Sequence, residues 1–357
     1  MSEGGIVSLE KRVLTGDTGA VARAITLIES TRADHRKDAE LLIERLLPRS
    51  GQAVRIGISG APGVGKSTFI QAFGLHQIET GRRVAVLAVD PSSRLSGGSL
   101  LADKTRMTEL ARDERAFIRP SPAGDTLGGV ARRTREAMIV CEAAGFDVIM
   151  VETVGVGQSE TAVADMVDMF LLLLAPGGGD ELQGLKKGIV ELADLIVVNK
   201  ADGGLAEDAI RVAADYRSAL ELIRPKSAAW KPRVLSCSAL NGDGIADIWQ
   251  AVLAYREALE DELGDKRAGQ ASSWMWHDIR DGLSHAFETD SEIGSMTTEI
   301  ENRVRQGSLT PQAGARKLLD RFLHGAMAND SGSARDEAEG FGSQTPPKKR
   351  SKSAVGS

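Results

Sequence analysis

A doubly wound, mainly parallel α/β sheet carrying helical extensions at both ends is the fold class that this sequence predicts. Three observations lead to it. Six short runs, Val54–Ser59, Val84–Val89, Phe146–Val151, Met169–Ala175, Leu195–Val198 and Val234–Cys237, are rich in Val, Ile and Leu. They are apolar throughout instead of alternating, as strands covered on both faces are. Helical patterns separate most of them, at Lys66–Glu79, Lys104–Arg112, Val130–Ala144, Ala206–Ile223 and Ile245–Glu260. Strands alternating with helices build a parallel sheet. A glycine-rich turn, Gly60 to Ser67, joins the first run to the first helix.

The flanking segments read differently. Residues 1–50 form a helical extension. Asp34 is placed to cap a helix with Leu41, Leu42 and Leu46 on one face, and Pro48 stops it. The sheet domain occupies 51–262. Residues 263–327 are helical again, in the stretches Trp274–Phe287, Ser291–Arg305 and Pro311–Met327. In 328–357 only Phe341 and Val355 are large and apolar, the composition of a disordered tail. Its Pro346–Arg350 basic run reads as solvated charge.

Composition excludes several classes. At 357 residues, with 42% apolar and 26% charged, the chain can bury a sizeable core. A net charge of −6 argues against a protein built to grip nucleic acid, and 4% aromatics leaves little for base stacking. Cys141 and Cys237 lie far apart without metal-ligand spacing, which suits a reducing compartment. The longest apolar run, Met169–Ala175, is far short of the roughly 20 residues that span a bilayer. With no secretory pattern near Met1, a cytoplasmic location without membrane attachment is expected.

The chemistry begins at Gly60-Ala61-Pro62-Gly63-Val64-Gly65-Lys66-Ser67, which satisfies GxxxxGK(S/T). Such glycines let backbone N–H groups turn inward around phosphate oxygens, and the helix N-terminus adds its dipole. Lys66 is expected to reach the β- and γ-phosphates and the Ser67 hydroxyl to bind Mg²⁺, with Thr68 the next nucleotide-binding position. Chance supplies roughly 0.02 such matches in a chain of this composition, so a fortuitous turn is a poor competitor. Asn199-Lys200-Ala201-Asp202 follows a later strand and matches NKxD. A carboxylate at Asp202 can accept from guanine N1–H and the 2-amino group together, which adenine cannot offer. Asn and Asp also favour plain turns, but the carboxyl edge of a parallel sheet is where ligands bind. Ser238, Ala239 and Leu240 follow the last strand and are expected to line the base from the other side.

Glu152-Thr153-Val154-Gly155 is read as following the Phe146–Val151 strand, where a DxxG motif would stand. Glu152 is expected near Mg²⁺ and the Gly155 N–H near the γ-phosphate, the pair counted with Lys66 as catalytic. Val156 stands where Ras-like enzymes place the Gln that orients the attacking water. Asp90 and Asp103 join Ser67 and Glu152 as candidate Mg²⁺ ligands, since hard oxygens with room for water suit that ion. Asp103, at a helix start, has an N-cap as its ordinary alternative.

Together with Asp103–Met107, Phe117–Ser121 and Gly178–Gly184, these motifs resemble the MeaB/ArgK-type GTPases of the G3E group, over about Ile6 to Met327. In that family Glu is the rule in ETVG. The resemblance implies a homodimer built partly through the C-terminal helices. It also implies a chaperone-like GTPase that protects adenosylcobalamin-dependent methylmalonyl-CoA mutase and gates its cofactor loading. GTP or GDP with Mg²⁺ is then the expected ligand. No cobalamin is expected on this chain, which has no His or Cys cluster; His277 is read as core or interface. Ser96–Asp103, Gly155–Glu160 and Gly177–Lys187 are expected to respond to the γ-phosphate, with Gln183 and Lys186 signalling to the partner. Two alternatives stay open: an ATP-dependent kinase, following the older ArgK description, and a structural partner that binds nucleotide without significant hydrolysis.

Overall fold

The computed structural model describes residues 3–89, 107–120, 127–153, 159–177 and 187–324. Seven strands form one all-parallel sheet in the order β3-β2-β4-β1-β5-β6-β7. They are β1 (Val54–Gly60), β2 (Val84–Val89), β3 (Ala116–Arg119), β4 (Val148–Thr153), β5 (Met169–Leu174), β6 (Leu195–Val198) and β7 (Arg233–Ser236). The helices are α1 (Glu3–Leu14), α2 (Thr18–Glu29), α3 (Ala33–Leu46), α4 (Lys66–Glu79), α5 (Leu127–Ala143), α6 (Ser159–Ala164), α7 (Lys187–Leu192), α8 (Ala206–Glu221), α9 (Ile245–Ala258), α10 (Glu260–Thr289) and α11 (Ser291–Arg305), followed by α12 over 311–324.

Strand side chains alternate between two covered faces. Ala85, Leu87, Val89, Ile149 and Val151 point into a core shared with α1–α3, α5 and α6. Val84, Val86, Ile56, Ile58 and Met150 point the other way, onto Phe69, Phe73 and Trp249 of α4 and α9. A third cluster packs Leu172, Leu174, Ile196 and Val198 on Ala209, Ala213 and Tyr216 of α8. Burial on both faces is why these strands carry no polar stripe.

Several expectations need correction. The sheet gains β3, whose four residues with a terminal Arg119 give too short an apolar run to notice. Within the expected Lys104–Arg112 helix, the described part holds only a 3-10 turn at Leu110–Arg112. The fourth strand runs two residues later than its apolar run suggests, so Glu152 and Thr153 lie in β4 rather than after it. Asp34 is not a cap; it lies in the first turn of α3 and accepts from Arg32. Trp274–Phe287 belongs to one 30-residue helix, α10, and His277 is exposed on it. The expected tail, 328–357, lies outside the described residues.

The chain divides into two compact units, the second beginning at His277. In that second unit, Asp290 caps α11 by accepting from the Glu292 and Ile293 amides. Phe287 meets Phe322 edge-on at 5.4 Å, and Arg321 pairs with Glu292.

In the first unit, the amino edge of the sheet is held by buried charge. Arg55 makes a two-pronged pair with Glu142, at 2.7 and 2.9 Å. Asp168 accepts from the Arg55 amide at 2.9 Å and from Arg267 of α10 at 2.7 and 2.6 Å. Arg267 also donates to the carbonyls of Gly51 and Ala53. Removing one partner of a buried pair costs about 3–5 kcal/mol, because the remaining charge is stranded. Arg267→Ala is therefore expected to lower stability by roughly that amount in urea unfolding at neutral pH. Arg305→Ala, which loses only an exposed helix pair with Glu301, is the control and should change it by less than about 1 kcal/mol.

Candidate nucleotide site

The site begins where β1 ends. A Cβ added at Gly60 would sit 2.5 Å from the Leu173 carbonyl oxygen of β5, so only glycine fits. The loop then turns through Gly63 and Gly65, both at positive φ (85° and 93°), a region that glycine enters without steric cost. Val64 between them is buried and pins the loop to the core. The helix that follows, α4, starts at Lys66 with no side-chain cap, so its first amides are available to an anion.

Lys66 is half-buried, and its ammonium donates to the carbonyls of Gly60 at 2.7 Å and Ala61 at 3.3 Å. Burial lowers its proton affinity, while the charges of Glu152 and Glu160 oppose that shift. Both glutamates are buried, Glu152 in β4 beside Ile58 of β1 and Glu160 in the first turn of α6. Next to Glu152, the Thr153 hydroxyl donates to Ser59 at 2.9 Å, tying the carboxyl ends of β4 and β1 together. Ser67 is half-buried and Thr68 exposed. Glu160 escapes assignment from sequence: its helix has six residues, too few for a visible period, and nothing local shows that it faces Lys66.

The base-side motifs come to the same sheet edge. Asn199 is buried, and its Nδ2 donates to the Val64 carbonyl at 3.0 Å. Its Oδ1 accepts from the Ala239 amide at 3.0 Å and from the Cys237 thiol at 3.5 Å. Gly65 lies so close that an added Cβ would stand 2.7 Å from that Nδ2. Lys200 takes a positive φ of 62° and sends its ammonium to the Gly63 carbonyl at 2.7 Å. Asp202 is half-exposed, and among the described residues no donor reaches its carboxylate. On the other loop, Ser238 and Ala239 are buried, and the Ser238 hydroxyl accepts from the Asn241 amide at 3.2 Å. Leu240 is 79% exposed, leaving its side chain open to cover a base.

The residues Gly60 to Thr68, Glu152, Asn199, Lys200, Asp202 and Ser238 to Leu240 are thus gathered at the carboxyl edge of the sheet. Asp90, Asp103, Gly155, Gln183 and Lys186 lie outside the described residues, as do 91–102, 156–158 and 178–185. Among the described residues no three His, Cys, Asp or Glu side chains converge as a metal cluster. Oxygen donors near the phosphate loop are the Ser67 hydroxyl and the Glu152 carboxylate, hard ligands that suit Mg²⁺ with water completing its shell.

Asp202 generates a test of base choice. Asp202→Asn is expected to weaken GDP binding by about 1–3 kcal/mol, the cost of an unmatched polar contact, and to raise relative affinity for xanthosine diphosphate. Competition titrations with both nucleotides check it. Unchanged GDP affinity in the variant would remove Asp202 from the base contact.

Comparison with known proteins agrees with this geometry. The family described as "Methylmalonyl Co-A mutase-associated GTPase MeaB" matches residues 21–292. A mouse protein named "Methylmalonic aciduria type A homolog, mitochondrial" is 48% identical over 322 residues, covering 87% of this chain and 78% of its own. The "GTPase ArgK" of Escherichia coli is 44% identical, covering 90% of this chain and 97% of its own. A crystal structure titled "LAO/AO transport system kinase" superposes with a TM-score of 0.73 at 38% identity, covering 90% of this chain and 99% of that one. With a matching phosphate loop, base motif and parallel sheet, the chain belongs to the MeaB family of P-loop GTPases.

Proposed function

We propose that this GTPase is a nucleotide-dependent chaperone of adenosylcobalamin-dependent methylmalonyl-CoA mutase, protecting the enzyme and gating its cofactor loading. The observation that supports the nucleotide half is the Asn199 side chain, which joins the phosphate loop at Val64 to the base loop at Ala239. The mutase half rests on the family description and on its mouse relative's name. The cobalamin stays with the partner proteins.

In this reading Lys66 leaves the Gly60 and Ala61 carbonyls when a triphosphate arrives and donates to its β- and γ-oxygens instead. The loop amides and the N-terminus of α4 take the remaining phosphate charge. Ser67 and Glu152 would hold Mg²⁺, with Asp90 and Asp103 as the further ligands, and the bound ion would supply positive charge to the phosphate oxygens. The charges of Glu152 and Glu160 favour the protonated Lys66 ammonium, and the Gly155 N–H senses the γ-phosphate. Hydrolysis proceeds by in-line attack of water, lowered in barrier by positioned charge and not by a covalent step. Lacking a Gln directly after Gly155, the chain alone is slow, and the mutase acts through Gly155–Glu160 and Gly177–Lys187 to speed it.

The chain acts as a homodimer. Supporting this are exposed apolar side chains on the second unit, Ile279 and Leu283 of α10 and Leu319 and Leu323 of α12, each pair four residues apart on one helix face. A cytoplasmic setting fits the two buried free thiols, with burial pushing Cys237 up to about 12 and Cys141 well above the ordinary range. No helix among the described residues is long and apolar enough to cross a membrane. The kinase reading is favoured only by the name of the superposed crystal structure. Against it stands the guanine-reading motif.

Linkage supplies the test: a nucleotide state that binds the mutase more tightly must itself be bound more tightly by the complex. Titrating purified mutase against the GDP-bound and GTP-analogue-bound protein should give affinities differing by about 5-fold or more, the ordinary scale of coupling. GTP turnover, measured in parallel, should rise on adding mutase. Gln183→Ala with Lys186→Ala should blunt both effects while leaving nucleotide affinity nearly intact. Equal affinity and equal turnover with and without mutase would leave a stand-alone GTPase.

A further inference from the structure

A second cavity lies at the amino edge of the sheet, away from the nucleotide motifs. It has a volume of about 410 Å³ and opens between the starts of β6 and β7, the end of α9 and the beginning of α10. Trp230, Tyr255, Leu259 and Leu263 form its apolar wall; Trp230 and Tyr255 meet edge-on at 5.2 Å. Its size falls in the roughly 300–1,000 Å³ range of small-molecule sites, which are mostly apolar with a few placed polar groups.

Those polar groups are two ammoniums, Lys226 and Lys266. Lys226 donates to the Leu192 carbonyl and, at 2.9 Å, to Oδ1 of Asp194. Lys266 donates to the Asp168 carbonyl and, at 3.1 Å, to the Tyr255 hydroxyl. An ammonium has three donors, so among the described residues each lysine keeps one without a protein acceptor. The two inner acceptors beside them are already committed. Tyr255 gives its own proton to the Asp168 carbonyl at 2.7 Å, and the second oxygen of Asp194 accepts from the Phe170 amide at 2.8 Å. Burial lowers the proton affinity of Lys266; the charges of Asp194 and Asp168 oppose that shift, and those of Lys226 and Arg267 add to it. Glu262 and Asp265 stand exposed at the rim and would repel a polyanion.

We propose that this cavity is a second ligand site, for a singly charged organic carboxylate with a flat apolar body. The body lies on Trp230, Tyr255 and Leu259, and the carboxylate oxygens take the remaining N–H groups of Lys226 and Lys266. The site rests on neither the nucleotide reading nor the mutase reading, since it shares no residue with either.

The test uses the full-length protein and two probes of equal shape, 2-naphthoate and the neutral naphthalene-2-methanol, in calorimetric titrations. Naphthoate should bind and the alcohol should bind about tenfold more weakly or less, the worth of a charge-assisted hydrogen bond. Lys226→Met should cut naphthoate affinity about tenfold while leaving the alcohol unaffected. GDP titration of each variant verifies the fold. Because Lys226→Met strands Asp194, Leu263→Trp provides a second route: it narrows the cavity without touching a charge, and both probes should be lost. Equal affinity for the two probes would make the cavity merely apolar and overturn the proposal. So would undetectable naphthoate binding at about 10 mM, or wild-type naphthoate affinity in either variant.

Discussion

One carboxamide holds the nucleotide site together. The Asn199 side chain donates to the phosphate loop at Val64 and accepts from the base loop at Ala239, and it does so in a buried position where an unmade bond is costly. The constraint acts on sequence at a distance. Gly65 has no room for a Cβ because Asn199 lies against it, and Gly60 has none because the Leu173 carbonyl does. Lys200 accepts a backbone conformation unusual for its type and thereby brings its ammonium to Gly63. Phosphate cradle and base reader are parts of one packed object, and neither loop can shift without the other.

The two edges of the sheet divide the work. At the carboxyl edge, loops leave backbone amides and a few charged side chains available, as a ligand site requires. At the amino edge, one cluster of charge is consumed internally. Arg55, Glu142, Asp168 and Arg267 satisfy one another and the backbone of the β1 entry, which ties α10 to the sheet.

Much of this architecture is legible in the residues. Five strands, β1, β2, β4, β5 and β6, are fully buried and read as runs rich in Val, Ile, Leu and Met, and the partly buried β7 is legible from Val234 and Leu235. The exception, β3, is four residues long, lies at the sheet's end, and has only Phe117 buried, so its run is weak. Glu152 falls inside a strand and not after it because burial among neighbours, and not apolarity, extends β4 through it. Phosphate and base motifs are readable because their spacing follows from local geometry. Glu160 is not, and neither are the partners of Asn199, because those contacts join positions up to 135 residues apart. The amino-edge cavity is invisible for the same reason: Lys226, Tyr255 and Lys266 become neighbours only through the packing of α9 and α10 on the sheet.

The central claim, that one amide positions both the phosphate loop and the base loop, can be tested with a ligand that touches only one of them. Inorganic tripolyphosphate reads the phosphate loop and ignores the base. Titrating wild type and Asn199→Ala with tripolyphosphate and with GDP separates the two possibilities. The account predicts that both ligands bind more weakly to the variant, because Val64 loses its anchor as Ala239 does. Weaker GDP binding with unchanged tripolyphosphate affinity would contradict it, reducing Asn199 to a residue of the base loop alone.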